Sequence, residues 1–273
     1  MLLSITRQAI YQRETRAKRR ALELAPVKDM VLDIRRFMPR LGCRKLYFLL
    51  KPKFIEQGIS LGRDGFITYL RNENLLVKPK RSYTKTTYSK HWMKKHPNLL
   101  KELKPTKPEE VFVSDITYVQ SEKGVHYLSL VTDAYSRKIM GYELSDEMKA
   151  TDVVKALDMT VRNRQYPCST IHHSDRGVQY CSQVYQEKLS ENNLTPSMTD
   201  GYDCYQNALA ERVNGILKQE FLLYKCQNLD ELKQLVDESI LIYNEMRPHL
   251  SLDMKTPSQV LKKDQEQKLL AFH

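Results

Sequence analysis

No apolar run in the 273 residues approaches the ~20 that a membrane span requires. The opening stretch, MLLSITRQAIYQRE, holds only a short apolar patch before its charges and has no small-residue cleavage site, so it does not read as a signal peptide. A cytoplasmic protein is expected. The five cysteines are an odd number, are scattered, and form no CxxC pair. A zinc site or disulfide framework is therefore not expected, and reduced thiols are. There is no GxSxG, Walker A or GxGxxG motif, which removes the common nucleophile-elbow, P-loop and dinucleotide-binding chemistries. Internal repeats are absent as well.

What is present is an uneven distribution of charge. Residues 1–110 carry 26 Lys+Arg against 10 Asp+Glu, while residues 111–273 carry 18 against 23. A basic front and a mildly acidic back imply a polyanion-binding module joined to a part that uses carboxylates. A ribosomal or chromatin protein would usually be basic throughout.

Residues 1–25 read as a helix that stops at Pro26. Residues 27–77 contain three helix-like stretches, VKDMVLDIRRFM, CRKLYFLLKPKFIEQ and RDGFITYLRNENLL, separated by turn signals at Gly42 and in GISLG. Two short helices across a Gly-containing turn suit a helix-turn-helix, whose second helix enters the major groove. The last stretch starts at Arg63 and carries Arg71 near its end. An ordinary three-helix bundle with solvated basic residues is the alternative. Residues 78–110 hold ten Lys+Arg, four Pro and little apolar periodicity, the composition of a basic linker. Lys78, Lys80 and Arg81 open it, and it is read either as lying along a phosphate backbone or as a solvated tether.

From residue 111 the pattern is that of a mixed α/β domain extending to about 260, with 261–273 as a tail. Three strands (VFVSDITYVQ, VHYLSLVTDAYSR, KIMGYELS) come first, and helix, strand, helix, strand and two helices follow. In the first strand Val111, Val113, Asp115, Thr117 and Val119 share one face. An ionised Asp in a row of valines is costly unless paired with a metal, a buried Arg or solvent at a sheet edge. Asp175 ends the strand STIHHSD, where it could equally be a turn residue. In NALAERVNGILKQEFLL, Glu211, Gly215 and Lys218 lie on the side opposite Leu209, Val213, Ile216, Leu217 and Phe221. Two divalent ions held by such a trio could activate an attacking oxygen and stabilise a leaving one in phosphoryl displacement. Asp133 is a rival ligand, but it sits at a hairpin end where Asp often bonds backbone. Asp200 and Asp203 fall in a loop before the Glu211 helix. His172, His173 and His249 read as structural, with RPH (247–249) a packing feature.

At these residues the chain resembles a known family. SDITYV, HHSDRGVQYCS, NALAERVNGILKQE and YNEMRPHLSLDMKTP resemble the integrase-like transposases of the IS-three group and, more broadly, the retroviral integrase core with its Asp, Asp, Glu triad. Residues 27–77 resemble the helix-turn-helix that precedes that core in the second reading frame of these elements. The resemblance implies an RNase H-like five-stranded mixed sheet flanked by helices, preceded by the all-α DNA-binding region. It also implies that Asp115, Asp175 and Glu211 bind two Mg²⁺, with Mn²⁺ as a substitute, and cleave and transfer DNA strands by 3′-hydroxyl attack. Lys218 would touch DNA near the reacting end. The implied partners are the element's terminal inverted repeats, target DNA, and a second copy of the chain, because joining two ends to one target needs at least a dimer. A further implied partner is the upstream reading-frame product, alone or as a frameshift fusion, since this chain has no heptad run of its own. The implied location is the bacterial cytoplasm, at the nucleoid. A nuclease of the same fold without strand transfer, and a catalytically inactive DNA-binding repressor, remain as alternatives.

Overall fold

The computed structural model describes residues 6–78, 92–101, 103–166, 168–200 and 207–262. The chain divides into two units, 1–79 and 80–273.

The first unit is helical. α1 (Arg7–Phe37) starts at Thr6, whose side chain accepts from the Ala9 amide, and α2 (Cys43–Glu56) and α3 (Arg63–Asn72) follow. α1 does not stop at Pro26 as its sequence predicts. Proline forfeits one intrahelical hydrogen bond and crowds the preceding turn. The helix nevertheless continues, because strong helix formers precede Pro26 and Val27, Met30 and Val31 beyond it are buried. α2 ends in a Schellman turn: Gly58, at φ +67°, donates to the Ile55 carbonyl, and the Ile59 amide donates to that of Phe54. Tyr47, Phe54 and Phe66 then pack as a triangle with ring centroids 5.7 to 6.3 Å apart, holding α2 against α3.

The second unit is built on a five-stranded sheet in the order β3-β2-β1-β4-β5. β1 (Val111–Ser121), β2 (Gly124–Asp133) and β3 (Ile139–Ser145) form an antiparallel meander, and β4 (Thr170–Ser174) and β5 (Leu194–Met198) run parallel to β1. This is the predicted mixed sheet. α4 (Ala150–Arg162), the single turn α5 (Val178–Cys181) and α6 (Gln183–Glu191) belong to one face. There Phe112, Val131, Leu157, Tyr180, Tyr185 and Leu189 form the main core. On the other face α7 (Ala208–Ile216) lies over β1, where a smaller cluster joins Val111, Val113, Ala134 and Ala210. α7 runs into a π-helical segment (Leu217–Phe221), then α8 (Leu229–Glu245) and a 3₁₀ turn (Leu250–Leu252). Asn228 caps α8 by accepting from the Glu231 amide at 2.9 Å.

Part of the stretch with linker composition packs on this sheet. Pro97 accepts from the Met198 amide, and the Leu99 amide donates to Ser197 Oγ at 2.9 Å. Met93 and Leu100 touch the two cores. High charge obscures these few apolar anchors in the sequence.

β3 and α4 approach so closely that a Cβ on Gly141 would collide with the Ala156 carbonyl and with the backbone nitrogen and hydroxyl of Thr160. Overpacking of this kind costs about 1–3 kcal/mol. Gly141→Ala is expected to destabilise by at least that much in urea titration, since the obstacle is backbone. An unchanged midpoint would contradict this packing.

Candidate active site

Asp115 stands in the middle of β1, opposite Leu130 of β2. On its other side β1 pairs in parallel with β4, Val113 facing His173. Two residues further along that register, Asp115 comes level with Asp175, the first residue beyond β4. Parallel neighbours at one level point their side chains to the same face, so the strand pairing itself brings the two carboxylates together. Asp175 Oδ1 accepts from the Gly177 amide at 2.9 Å. A Cβ on Gly177 would press on that same oxygen at 3.0 Å, so a side chain there would have to displace the Asp175 carboxylate by a few tenths of an ångström.

Glu211 comes from the first turn of α7. Three polar contacts seat this helix on β1. Asn207 Nδ2 donates to the Ser114 carbonyl at 2.9 Å, Asn214 Nδ2 to Asp115 Oδ2 at 2.8 Å, and Lys218 Nζ to Thr117 Oγ1 at 3.3 Å. Asn214 and Lys218 are four residues apart on the helix and Asp115 and Thr117 two apart on the strand, so the two periodicities match. Glu211 and Lys218 are exposed on the side opposite buried Val213, Ile216, Leu217 and Phe221, the division its sequence predicts. Asn207 and Asn214 were not singled out by sequence reasoning. The available signal was an Asn between Val213 and Ile216 on a burying face, which demands a partner.

The electrostatics are those of buried carboxylates that also crowd one another. Asp115 is pushed up to about 7, chiefly by burial and then by the charge of Asp175, with a further push from Glu211; the Asn214 hydrogen bond opposes them. Glu211 is also raised, by burial first and by Asp175 second. A cation among these groups would relieve the repulsion. Among the described residues no three His, Cys, Asp or Glu side chains are grouped so as to hold a metal ion by themselves. Asp115, Asp175 and Glu211 are near enough to feel one another's charge, and they offer oxygen donors only, the set that suits Mg²⁺ when water and substrate phosphate complete its shell.

The rival residues have other work. Asp133 accepts from the amides of Glu109 and Ser136 at 2.9 and 2.8 Å and closes the β2–β3 turn. His172 Nε2 bonds Ser114 Oγ and Tyr185 Oη, and His173 Nδ1 bonds Ser197 Oγ, all in the core. Asp200 pairs with Lys101 at 2.7 Å and with Arg176 at 3.7 Å. Asp203 lies outside the described residues, as do Lys80 and Arg81. Arg63, Arg71 and Lys78 are exposed in the first unit. A second constellation, Ser121–His126–Asp146, has the hydrogen-bond order of a nucleophile triad at 2.7 and 2.6 Å. Its serine is only 2 % exposed and its hydroxyl oxygen accepts from the Lys123 amide. It fastens the β1–β2 hairpin.

A five-stranded mixed sheet of this order, with helices on both faces, is the fold of an integrase core. Two integrase core domain families match, over residues 105–204 and 192–257. The insertion element IS600 uncharacterized 31 kDa protein of Shigella sonnei is 37% identical over 212 residues, covering 77% of this chain and 78% of that one. The transposase InsF for insertion sequence IS3A of Escherichia coli (strain K12) is 34% identical over 165 residues, covering 60% of this chain and 57% of its own length. The chain belongs to the IS3 family of insertion-sequence transposases. The simian T-cell lymphotropic virus intasome, solved in complex with PP2A regulatory subunit B56 gamma, shares the fold. It does so at a TM-score of 0.51 and 15% identity, over 85% of this chain and 74% of that one.

The crowding has a measurable sign. Asp115 in the folded chain holds its proton up to about 7, whereas an unfolded Asp loses it near ~3.9. Between those values the folded state binds the extra proton, so this group makes metal-free stability fall as pH rises. With a chelator present, wild type is expected to lose more stability between pH 5 and 7.5 than Asp115→Asn, by urea melts at both values. Equal losses in the two proteins would mean that Asp115 is not raised in the folded chain.

Proposed function

We propose that the protein is a metal-dependent DNA transposase that cuts and joins the ends of its insertion sequence by 3′-hydroxyl attack on phosphodiesters. The observation that supports this reading is the β1–β4 register that sets Asp175 level with Asp115 beside the helix bearing Glu211, with Asp115 and Glu211 both raised, first by burial and then by the charge of Asp175. Asp115, Asp175 and Glu211 would hold two Mg²⁺, or Mn²⁺ in their place. Bound there, divalent ions supply charge stabilisation at the attacking and leaving oxygens of an in-line displacement.

The chain's own residues orient the reaction. Asn214, bonded to Asp115, fixes that carboxylate's rotamer, and the Gly177 amide does the same for Asp175. Lys218, beside Thr117 on the same side of the helix as Glu211, would neutralise a phosphate next to the scissile one. The 3′-hydroxyl oxygen forms a bond to phosphorus while the bond to the opposite oxygen breaks, so one phosphodiester replaces another. Water entering in place of the hydroxyl would give hydrolysis instead.

Arg63, Arg71 and Lys78 on the first unit, with Lys80 and Arg81 after it, would contact DNA backbone. The chain would act at least as a dimer on its terminal repeats and target. The upstream reading-frame product would be a further partner, alone or in a fusion, at the nucleoid in the bacterial cytoplasm. No helix among the described residues is long and apolar enough to cross a membrane.

The test is a strand-transfer assay with DNA bearing the element's ends, Mg²⁺ or Mn²⁺, and Glu211→Gln alongside. Joined product that vanishes in the variant, with DNA binding kept, is the expected result. Nicked but unjoined DNA would identify a nuclease. Binding with no product, even after the upstream segment is supplied, would identify a repressor.

A further inference from the structure

The RPH segment after α8 carries a feature that neither the acid cluster nor the core requires. Arg247 is 1 % exposed, among the largest fully buried side chains of the protein. Its Nε donates to Glu220 Oε2 at 2.9 Å and its Nη2 to Glu220 Oε1 at 2.6 Å, a two-pronged bond. Its Nη1 donates to His249 Nε2 at 3.2 Å, and its guanidinium lies 5.9 Å from the Tyr243 ring centre. Tyr243 in turn meets the His249 ring edge-on at 5.0 Å. Every polar prong of the arginine is directed at the end of α7 or at the segment that frames it.

A buried ion pair is poor evidence for stability, because desolvation offsets its attraction and apolar residues would pack α8 as well. What a guanidinium–carboxylate fork supplies is geometry, two parallel bonds that fix their partner in position and rotation. Glu220 belongs to the π-helical segment Leu217–Phe221, whose wider turn is closed by the Leu222 amide donating to the Leu217 carbonyl at 2.8 Å. π turns are rare and need a reason to persist. Two residues before Glu220, on the opposite side of this turn, Lys218 reaches Thr117 on β1. The segment is thus gripped from both sides, by Arg247 on one and through Lys218 on the other.

We propose that Arg247 is a positioning residue, whose fork on Glu220 locks the π turn and thereby aims Lys218 at a DNA phosphate beside the acid cluster. This deepens the reading under Proposed function and rests on it for the DNA contact. The lock itself does not depend on DNA.

The test uses the full chain and Arg247→Lys, which keeps the net charge but cannot make the fork. Hydrogen exchange on the free protein is expected to rise in peptides spanning 217–222 and not in those spanning β1. Binding to end DNA is then measured against salt concentration. Lys218→Ala should lower the salt slope by about one, the signature of one lost phosphate contact. Arg247→Lys should lower it equally despite its unchanged charge, and the double variant no further. Gly141→Ala, destabilised elsewhere, should keep the wild-type slope. Glu220→Gln, which keeps the shape and loses one acceptor, serves in place of Arg247→Lys if that variant does not fold. Unchanged exchange at 217–222, a wild-type slope in folded Arg247→Lys, or no effect of Lys218→Ala would each overturn the proposal. Altered exchange in a chain whose wild type neither binds nor joins DNA would keep the lock and sink the functional reading instead.

Discussion

The arrangement depends on keeping like charges together. Two ionised carboxylates on neighbouring strands, about 5 Å apart by strand spacing, repel by about 3 kcal/mol at an effective dielectric of about 20. The fold must hold Asp115 and Asp175 against that repulsion. It does so by placing Asp115 on the central strand, paired on both sides, and by setting Asp175 immediately after β4, where an amide from Gly177 fixes it. The large core of Phe112, Leu157, Tyr185 and Leu189 on the opposite face keeps the sheet from relaxing. Burial there offsets the strain on the acidic face, which has few apolar contacts of its own.

α7 is attached to that face in a different manner from the helices across the sheet. Its apolar footing is small, Ala210 against Val111, Val113 and Ala134, and small residues let the helix lie close to β1. The rest of the attachment is polar, through Asn207, Asn214 and Lys218. Hydrogen bonds fix azimuth and height where apolar packing tolerates sliding. A helix that must present Glu211 to two aspartates across a strand benefits from that rigidity more than from extra buried area.

These features were legible in the sequence to different degrees. The strands declared themselves through alternation, and the face shared by Asp115 and the valines is the one α7 covers. Glu211 and Lys218 fall on the exposed side because the apolar residues between them keep helical spacing. The helix break predicted at Pro26 was a local rule overruled by burial of Val27, Met30 and Val31. The packing of 92–101 on the sheet was hidden by charge, since only Met93 and Leu100 mark it. The π turn left no trace, because Val213, Ile216, Leu217 and Phe221 fit ordinary helical spacing equally well. Its cause lies 27 residues away, in the Arg247–Glu220 pair, and pairing over such a separation is written in no local pattern. His249 reads as a packing residue in both sequence and structure, yet it packs by accepting from Arg247.

The charge distribution gives the proposed division of labour a physical basis. Residues 111–273 carry 18 Lys+Arg against 23 Asp+Glu, so the part bearing the acids repels a polyanion overall. Affinity for DNA comes mainly from cations that displace condensed counterions, and these are concentrated in residues 1–110, with 26 against 10. Phosphate brought to the acid cluster by the front unit would still meet a negative site unless cations stood there too. Divalent ions would supply most of that charge and Lys218, beside Thr117, a fixed part of it. An acidic centre that attracts phosphate only when cations fill it would make the proposed strand-cutting chemistry depend on those cations. On that logic the aim of Lys218 matters more than its charge, since a lysine free to swing would collapse onto the nearest carboxylate and be lost to DNA.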